Sequence, residues 1–490
     1  MTRVHNLSSP PPHHIWLDIT TAASWSRPPV GIVRAEVEFA RYLSASFPAT
    51  SRFCVFSGTD LTYHEISLRD CLSLIEALQR PRPEAAAPQA NQTSQRSTLQ
   101  RRLRSALKSL ASLVPQNAQR WLVKCSSLLS WSSRSRRPVG EADNFEALNG
   151  KAALRHKTLN GLPFNVAMSH QSPNPFSQGD VFVSMGIDWD QKDLAVVSEI
   201  RKRSGLRVVW FCYDLIPIKL PHLCFPGVSD KFSLYFKNVA GVADLILCIS
   251  VSTMKDLAGY LSIQECHAPR LDVIRLGCAL PPSSVYSYSQ KIDTLIRSKK
   301  YLLYVSTIER RKNHETLYRA YVQLIESGLT DLPPLVFIGM RGWGVSDFLN
   351  DLQLDHRVKD KIILLTDVSD NDLATLYRAC YFTLYPSLYE GWGLPVAESL
   401  AFGKFCLASN SSSIPEIAGS LLEYLDPWDV PNWADRIRYY ILNPAEVQRR
   451  EEAIRQEYRV HSWDDSGASI YAACASLIEA GDTTYRRANA

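Results

Sequence analysis

Short apolar runs alternate with longer amphipathic segments along most of the second half of the chain. Each run has the length and the β-branched or aromatic content of a buried strand, and the segments between runs repeat apolar residues at helical spacing. Strands and helices in alternation predict a doubly wound parallel sheet. The predicted strands cover residues 301–306, 335–339, 361–365, 381–385, 405–408 and 421–425.

The same rhythm in the first half predicts a second sheet of this kind. A chain of 490 residues also exceeds one ordinary core, so two α/β domains are expected. Residues 281–300, rich in Pro and Ser at their start, are the predicted linker between them. The predicted strands of the first half cover residues 15–19, 53–56, 181–185, 207–212, 243–249 and 273–277, and its first helices cover about 32–43 and 66–78.

An insert at about residues 79–165 interrupts this rhythm with Pro, Ala, Ser, Gln and Arg. Between Pro81 and Gly140 there are eleven Lys and Arg and one acid, a local balance of +10, which leaves −5 on the rest of a chain whose net charge is +5. Leu and Trp accompany these cations at helical spacing, which is typical of basic amphipathic helices on anionic membranes. A partly disordered, solvated insertion is the alternative.

Bulk features narrow the class of protein further. The eleven cysteines are scattered, with no C-x-x-C or Cys/His metal spacing, which predicts reduced thiols in the cytoplasm and no metal site. The N-terminus lacks a long apolar run, so we expect no secretory signal. No stretch reaches about eighteen apolar residues, so we expect no membrane-spanning helix.

The most informative chemistry lies in residues 381–401, a predicted strand, a loop and a helix. Gly391 and Gly393 on the loop let backbone amides approach a ligand, and the helix N-terminus favours an anion. Glu390 on the loop and Glu398 in the helix can face one crevice at the carboxyl end of the strand, where α/β sheets bind ligands. Alternatively, Glu398 only complements the helix dipole and Glu390 is a solvated loop residue.

Three cations, Arg310, Arg311 and Lys312, precede the helix predicted to begin at His314. Cations at a helix N-terminus oppose the macrodipole, and a bound anion would remove that conflict. A diphosphate is the candidate, because cations and free helix amides both recognise it. A solvated run of charge is the alternative.

Two further positions lie where strands of the first half end. Asp214 follows the strand predicted at residues 207–212 and precedes a proline, as either a site residue or a turn-forming Asp. Gly31 stands in the turn between the first strand and the first helix. There it either presents backbone amides to a ligand or simply makes a tight connection.

The stretch at residues 381–401 closely resembles the donor-binding signature of glycosyltransferase family 4. That signature has two glutamates separated by seven residues, with a Gly-x-Gly-Leu-Pro sequence between them. The matching residues are Glu390, Gly391, Trp392, Gly393, Leu394, Pro395 and Glu398.

Other stretches resemble the branch of the family that includes mannosyl- and rhamnosyltransferases of bacterial polysaccharide assembly. Residues 29–34 match its Pro-x-Gly-Ile-x-Arg turn, and residues 306–313 match Gly-Thr-x-x-Pro-Arg-Lys-Asn except at Ser306 and Arg310. Tyr213 replaces a His that helps to orient the sugar in the family, so the role of that His is not carried over.

The resemblance implies a GT-B fold, in which two Rossmann-like domains face a cleft. The first domain is expected at residues 1–285, with the basic insert at about 79–165. The second is expected at residues 300–460, followed by a terminal helix at 461–490 that packs back on the first domain.

The implied activity is retaining transfer of a sugar, with mannose or rhamnose favoured, from a nucleotide-diphospho-sugar to a saccharide or lipid-linked saccharide acceptor in cell-surface polysaccharide synthesis. No metal or other cofactor is implied, because Arg and Lys neutralise the leaving diphosphate. We expect a cytoplasmic protein that has no nucleic acid partner and contacts the inner face of the membrane through the insert. A catalytically silent GT-B binding or scaffolding protein and a GT-B phosphorylase are the alternatives.

The resemblance also implies roles for individual residues. Glu390 and Asp214 are the candidate catalytic residues. Glu398 is expected to hold the ribose hydroxyls, and Arg311 and Lys312 the diphosphate. The implied donor-binding residues are Gly31, Arg311, Lys312, Gly391, Trp392, Gly393, Leu394 and Glu398.

Overall fold

The chain is described by a computed structural model. All the described residues belong to one compact unit. The predicted insert lies outside the described residues from residue 80 onward, as do residues 281–289 and 299 of the predicted linker. The described residues are 13–26, 29–79, 173–278, 290–298, 300–329, 331–366 and 368–488.

The first sheet has seven strands, β1 Ile15–Asp18, β2 Ser51–Ser57, β3 Thr62–Ile66, β4 Val181–Ser184, β5 Arg207–Cys212, β6 Leu245–Cys248 and β7 Arg270–Val273. Their order is β3-β2-β1-β4-β5-β6-β7. Neighbours are parallel apart from β2 and β3, which are antiparallel. An order that runs outward from β1 in both directions is the doubly wound arrangement of Rossmann folds.

Two sequence predictions for this sheet are wrong in detail. The helix predicted from residue 66 begins at Leu68, because β3 forms a hairpin with β2 through the turn after Gly58. Turn residues between two β-rich runs are the signal for such a hairpin. The strand predicted at residues 273–277 lies earlier, at β7, because the chain then leaves the sheet and the Cys278 amide donates to the His461 carbonyl.

Helices cover both faces of this sheet. Alternate residues of β4 and β5 enter two separate hydrophobic clusters, as strands buried on both faces require. The helices are α1 Thr20–Ser24, α2 Gly31–Ser46, α3 Leu68–Gln79, α4 Asp188–Gln191, α5 Leu194–Ser204, α6 Ile216–Lys219, α7 Val228–Val242 and α8 Val251–Ile263. We call β1–β7 and α1–α8 the N-lobe.

The second sheet has six parallel strands, β8 Leu302–Val305, β9 Leu335–Ile338, β10 Ile362–Leu365, β11 Phe382–Tyr385, β12 Cys406–Ser409 and β13 Glu423–Leu425. Their order, β10-β9-β8-β11-β12-β13, repeats the Rossmann arrangement. The helices are α9 Gln290–Ser298, α10 His314–Glu326, α11 Ser346–Leu354, α12 Asp370–Ala379, α13 Leu394–Ala401, α14 Ile414–Ala418, α15 Val430–Leu442 and α16 Pro444–Glu457. We call β8–β13 and α9–α16 the C-lobe.

The ends of the C-lobe sequence are themselves helical. Within the predicted linker, α9 packs its buried Ile292 into the same hydrophobic cluster as Tyr301 and Leu303. The last helix, α17 Trp463–Ala488, packs against α2 of the N-lobe. The rings of Phe47 and Tyr471 stack there with centroids 3.6 Å apart.

Candidate active site

The predicted site residues of the C-lobe lie on the loops that follow β8 and β11, two adjacent strands. Parallel strands end at one edge of a sheet, so their loops meet there. Asn313 ties the loops together, since its Nδ2 donates to the carbonyls of Pro386 at 3.1 Å and Pro427 at 2.8 Å. The cations Arg310–Lys312 form a 3-10 turn, and Asn313, with φ of 57°, turns the chain into α10.

Glu390 binds both predicted diphosphate-binding cations. Its Oε2 lies 2.9 Å from Arg311 Nη1, and its Oε1 lies 2.6 Å from Lys312 Nζ. Arg311 has a second carboxylate partner, Glu309 Oε1, at 2.6 Å. The side chains of Arg311, Lys312 and Glu390 are 16 %, 13 % and 8 % exposed, so this is a largely buried cluster rather than a solvated run of charge. We call Glu309, Arg311, Lys312 and Glu390 the charge cluster.

Hydrogen bonds hold Glu390 in its ionised form. Its Oε1 accepts from Ser387 Oγ at 2.6 Å and from Tyr385 OH at 3.1 Å. Burial would raise the pKa of Glu390, but Arg311, Lys312 and these hydrogen bonds outweigh it and lower the pKa to about 2. The carboxylate is therefore charged at neutral pH and can only accept hydrogen bonds.

Two serines that sequence reasoning did not assign a role support the Glu390 loop. Ser412 Oγ accepts from the Glu390 amide at 2.8 Å, and Ser412 has a positive φ of 50°. The hydroxyl of Ser413, which is fully buried, donates to the carbonyls of Glu390 and Trp392 at 2.9 Å each. The run of three serines after β12 was the available signal, because serine hydroxyls bond to nearby backbone in turns.

Gly391 and Gly393 of the loop are each required for a different geometric reason. Gly391 lies against the N-lobe, where a Cβ would be 2.0 Å from the Tyr213 carbonyl oxygen. Gly393 has φ of 113° and precedes α13, which begins at Leu394. Trp392 between the glycines is 6 % exposed and packs in the hydrophobic core.

Glu398 lies in the first turns of α13 and has different neighbours from Glu390. Its Oε2 accepts from Tyr377 OH at 3.1 Å. Burial raises the pKa of Glu398, while the Tyr377 hydroxyl and the charge of Arg34 act in the opposite direction. Arg34 belongs to α2, so an N-lobe cation faces this C-lobe carboxylate.

Asp214 comes from the N-lobe, two residues after β5, and interacts electrostatically with Arg311, Glu390 and Glu309 of the charge cluster. Its Oδ1 accepts from the Ile216 amide at 3.0 Å. Burial raises the pKa of Asp214 and the charges of Glu390 and Glu309 raise it further, while Arg311 lowers it. The fold thus brings together Asp214, Arg311, Lys312 and Glu390 from three separate parts of the chain.

The side chain of Tyr213 points away from this cluster. Its hydroxyl donates to the Met185 carbonyl at 2.7 Å, and its ring belongs to the N-lobe core. Gly31, at the start of α2, has φ of 54° and open space where a Cβ would stand. The positive φ therefore explains why a glycine stands at position 31, but Gly31 makes no contact with the charge cluster.

The described residues offer neither a metal site nor a membrane-spanning helix. Among them, no three His, Cys, Asp or Glu side chains are grouped so that they could hold a metal ion. None of the helices in the described part of the chain has the length and apolar content needed to cross a membrane.

The C-lobe is similar to a known protein family. A model of the family described as "Glycosyl transferases group 1" matches residues 289–459. A serotype-specific mannosyltransferase WbdA of Escherichia coli is 27 % identical over 285 residues, which are 56 % of this chain and 33 % of that protein. An O-antigen chain mannosyltransferase B of Escherichia coli is 34 % identical over 205 residues, 41 % of this chain and 51 % of that protein.

The chain thus spans about a third to a half of these relatives' length. Among solved structures, Anabaena Alr3699/HepE in complex with UDP superposes with a TM-score of 0.50 at 12 % identity, covering 97 % of this chain and 100 % of that chain. The predicted GT-B fold is confirmed, and within it residues 289–459 are similar to the group 1 glycosyl transferases.

Proposed function

We propose that this protein is a retaining glycosyltransferase that moves a sugar, mannose or rhamnose, from a nucleotide-diphospho-sugar to a saccharide or lipid-linked saccharide in cell-surface polysaccharide synthesis. The observation that carries the proposal is the charge cluster at the carboxyl edge of the group 1 domain, where Arg311 and Lys312 face Glu390. The two Escherichia coli relatives, a serotype-specific mannosyltransferase and an O-antigen chain mannosyltransferase, support the choice of mannose and of a polysaccharide acceptor.

The chemistry that this cluster offers is neutralisation of a leaving diphosphate. Two adjacent cations, one of them able to bind two oxygens at once, stabilise the negative charge that develops as the glycosidic bond breaks. In this proposal no metal is required, because Arg311 and Lys312 supply the positive charge. Glu390 then accepts hydrogen bonds from hydroxyls of the transferred sugar, and Glu398 accepts those from the ribose.

Asp214 is the second candidate catalytic residue. Its raised pKa and its interaction with Arg311 make Asp214 the N-lobe candidate for a group that donates or accepts a proton at the charge cluster. We assign it no covalent role, since the chemistry of retention does not follow from these contacts.

A panel of nucleotide-sugars tests the proposal. Isothermal titration calorimetry with GDP-, UDP- and dTDP-linked mannose, rhamnose and glucose should find one donor that binds well above the others. Incubation of that donor with a saccharide acceptor should release the nucleoside diphosphate and give a product whose anomeric configuration, read by NMR, equals that of the donor. Binding of none of these donors would reject the function, and an inverted product would reject retention.

One observation favours a second candidate, a catalytically silent GT-B binding protein. Tyr213 replaces the sugar-orienting His of the family, and its hydroxyl is turned toward Met185. A silent protein would bind the nucleoside diphosphate through Arg311 and Lys312 and release no sugar with any acceptor. A GT-B phosphorylase would instead cleave a saccharide only when inorganic phosphate is supplied.

A further inference from the structure

We propose that Glu416 and Tyr389 of the C-lobe clamp helix α8 of the N-lobe and thereby position Asp214 beside the charge cluster. Both residues reach across the cleft to the first two turns of α8. The clamp is a property of the two lobes and is tested without reference to activity. Its consequence for catalysis rests on the proposed function.

Glu416 completes the N-terminus of α8. Its Oε2 accepts from the Val251 amide and its Oε1 from the Ser252 amide, each at 2.7 Å. The first amides of a helix have no partner within the helix. The N-cap Ser250 satisfies only the next one, Thr253, at 3.0 Å. Glu416 therefore provides the two acceptors that the N-lobe itself does not supply.

Charge strengthens this contact. The N-terminus of a helix carries a partial positive charge, and hydrogen bonds to a carboxylate are stronger than those to a neutral acceptor. Glu416 lies on α14, which follows Ser412 and Ser413, the two serines that support the Glu390 loop. The same short segment thus bonds to the site on one side and to the N-lobe on the other.

Tyr389 makes the second contact, one turn further along α8. Its hydroxyl donates to Asp256 Oδ2, and Asp256 Oδ1 lies 2.9 Å from Lys219 Nζ of the N-lobe. Tyr389 directly precedes Glu390, and its carbonyl accepts from Arg311 Nη1 at 2.6 Å. A shift of α8 away from Tyr389 would therefore change the positions of Arg311 and Glu390 in the charge cluster.

The start of α8 also touches the residues on either side of the cleft. The Thr253 hydroxyl lies 3.4 Å from both the Tyr213 and the Gly391 carbonyl oxygens. Gly391 itself packs on the Tyr213 carbonyl, as described above. Because Asp214 follows Tyr213, the clamp sets how closely Asp214 approaches Arg311.

Other contacts join the lobes without touching α8. Arg310 Nη1 donates to the His222 carbonyl at 3.2 Å, and the rings of Phe225 and Trp343 lie with centroids 4.8 Å apart. These contacts remain in variants of Glu416 and Tyr389. Loss of the clamp should therefore loosen α8 without releasing the lobes from each other completely.

Hydrogen exchange of two amides gives a direct test. We expect the Val251 and Ser252 amides to be protected in the wild-type protein, because Glu416 is their acceptor. In Glu416→Gln the side-chain NH₂ replaces one acceptor oxygen, and exchange at these amides should rise about tenfold. Glu452→Gln, which changes an exposed glutamate of α16, is the matched control and should leave both amides unchanged.

Kinetics test the consequence for Asp214. Glu416→Gln and Tyr389→Phe should each lower kcat about tenfold and change the affinity for the free nucleoside diphosphate less than twofold, because Arg311 and Lys312 are untouched. Equal exchange at Val251 and Ser252 in wild type and Glu416→Gln would overturn the clamp. Faster exchange with unchanged kcat would overturn the positioning of Asp214. If no transfer is found with any donor, the exchange result still decides the clamp, while the proposed function fails separately.

Discussion

Lys312→Met tests the charge cluster most directly, because it removes the ammonium and keeps most of the apolar stem. Lys312 Nζ lies 2.6 Å from Glu390 Oε1 and 3.2 Å from Tyr385 OH. A hydrogen bond to a charged partner contributes about 1.5–3 kcal/mol. If a diphosphate takes this bond, its affinity should fall roughly ten- to a hundredfold in the variant, while the affinity for the bare nucleoside stays the same.

The same variant separates two views of the cations through stability. If they were solvated at a helix end, removing one would slightly stabilise the fold. Because Lys312 neutralises a buried carboxylate, we expect the free energy of unfolding to fall by about 1–3 kcal/mol. Adding Glu390→Gln to Lys312→Met removes the uncompensated charge, so part of the stability should return without the diphosphate affinity.

Calorimetry with the nucleoside diphosphate and the nucleoside, together with urea unfolding, measures both effects. Lys359→Met, at an exposed lysine of the C-lobe, controls for the loss of one positive charge. An equal loss of affinity for diphosphate and nucleoside would refute the assignment of Lys312 to the phosphates. A variant as stable as the wild type or more stable would refute the burial of the ion pair.

Three further predictions concern the site and the insert. Glu390→Gln should lower transfer by roughly 10²-fold and Glu398→Gln by about tenfold in proteins that remain folded, with exposed Glu315→Gln as control; wild-type turnover in both would reject their roles. Burial lowers the pKa of His314 to about 3, and the charge of Lys312 acts in the same direction. As the pH falls from 6.5 toward 3, His314 is protonated in the unfolded state but not in the folded state. The free energy of unfolding should therefore fall by up to about 1.4 kcal/mol per pH unit. Urea midpoints at pH 7, 6 and 5 should therefore fall less in His314→Phe than in wild type, and parallel declines would contradict this. The wild-type protein should sediment with anionic but not with neutral vesicles, since each basic residue near an anionic surface contributes about 1 kcal/mol, and deletion of residues 96–137 should abolish this sedimentation. Equal sedimentation with both kinds of vesicle, or no change on deletion, would reject the membrane proposal.

The hydrophobic pattern of short segments predicted much of the fold, because each buried parallel strand and each amphipathic helix is specified by the residues within it. The strands from β8 to β12 lie within a residue or two of their predicted places. The helix Gly31–Ser46 was predicted at 32–43 for the same reason. The errors fall where pairing with another segment determines the structure. Strand β3 forms because it pairs with the edge of β2, and the periodicity within residues 62–66 alone does not specify that pairing; only the turn between the two runs indicates it.

The site shows the same division. The two cations and the Glu390 loop were predicted from their own neighbours in sequence. That Glu390 is the counter-charge of both cations could not be predicted, because 78 residues separate it from Lys312 and only the adjacency of β8 and β11 brings them together. The contact of Glu416 with Val251, over 165 residues, depends on how the lobes meet and has no local signal at all.

The pairing of Glu390 with the cations gives this carboxylate two mutually exclusive sets of partners. Arg311 and Lys312 occupy its two oxygens, and a donor diphosphate would compete for the same cations. In the proposed function, a diphosphate that binds Arg311 and Lys312 frees Glu390 to accept hydrogen bonds from sugar hydroxyls, while Ser387 and Tyr385 still donate to its Oε1. Glu309 remains as a partner of Arg311 and limits how far that side chain can move. The proposed function therefore predicts that binding of the diphosphate and binding of the sugar are linked through Glu390, and that a bare sugar gains little affinity from Glu390 while the cations hold it.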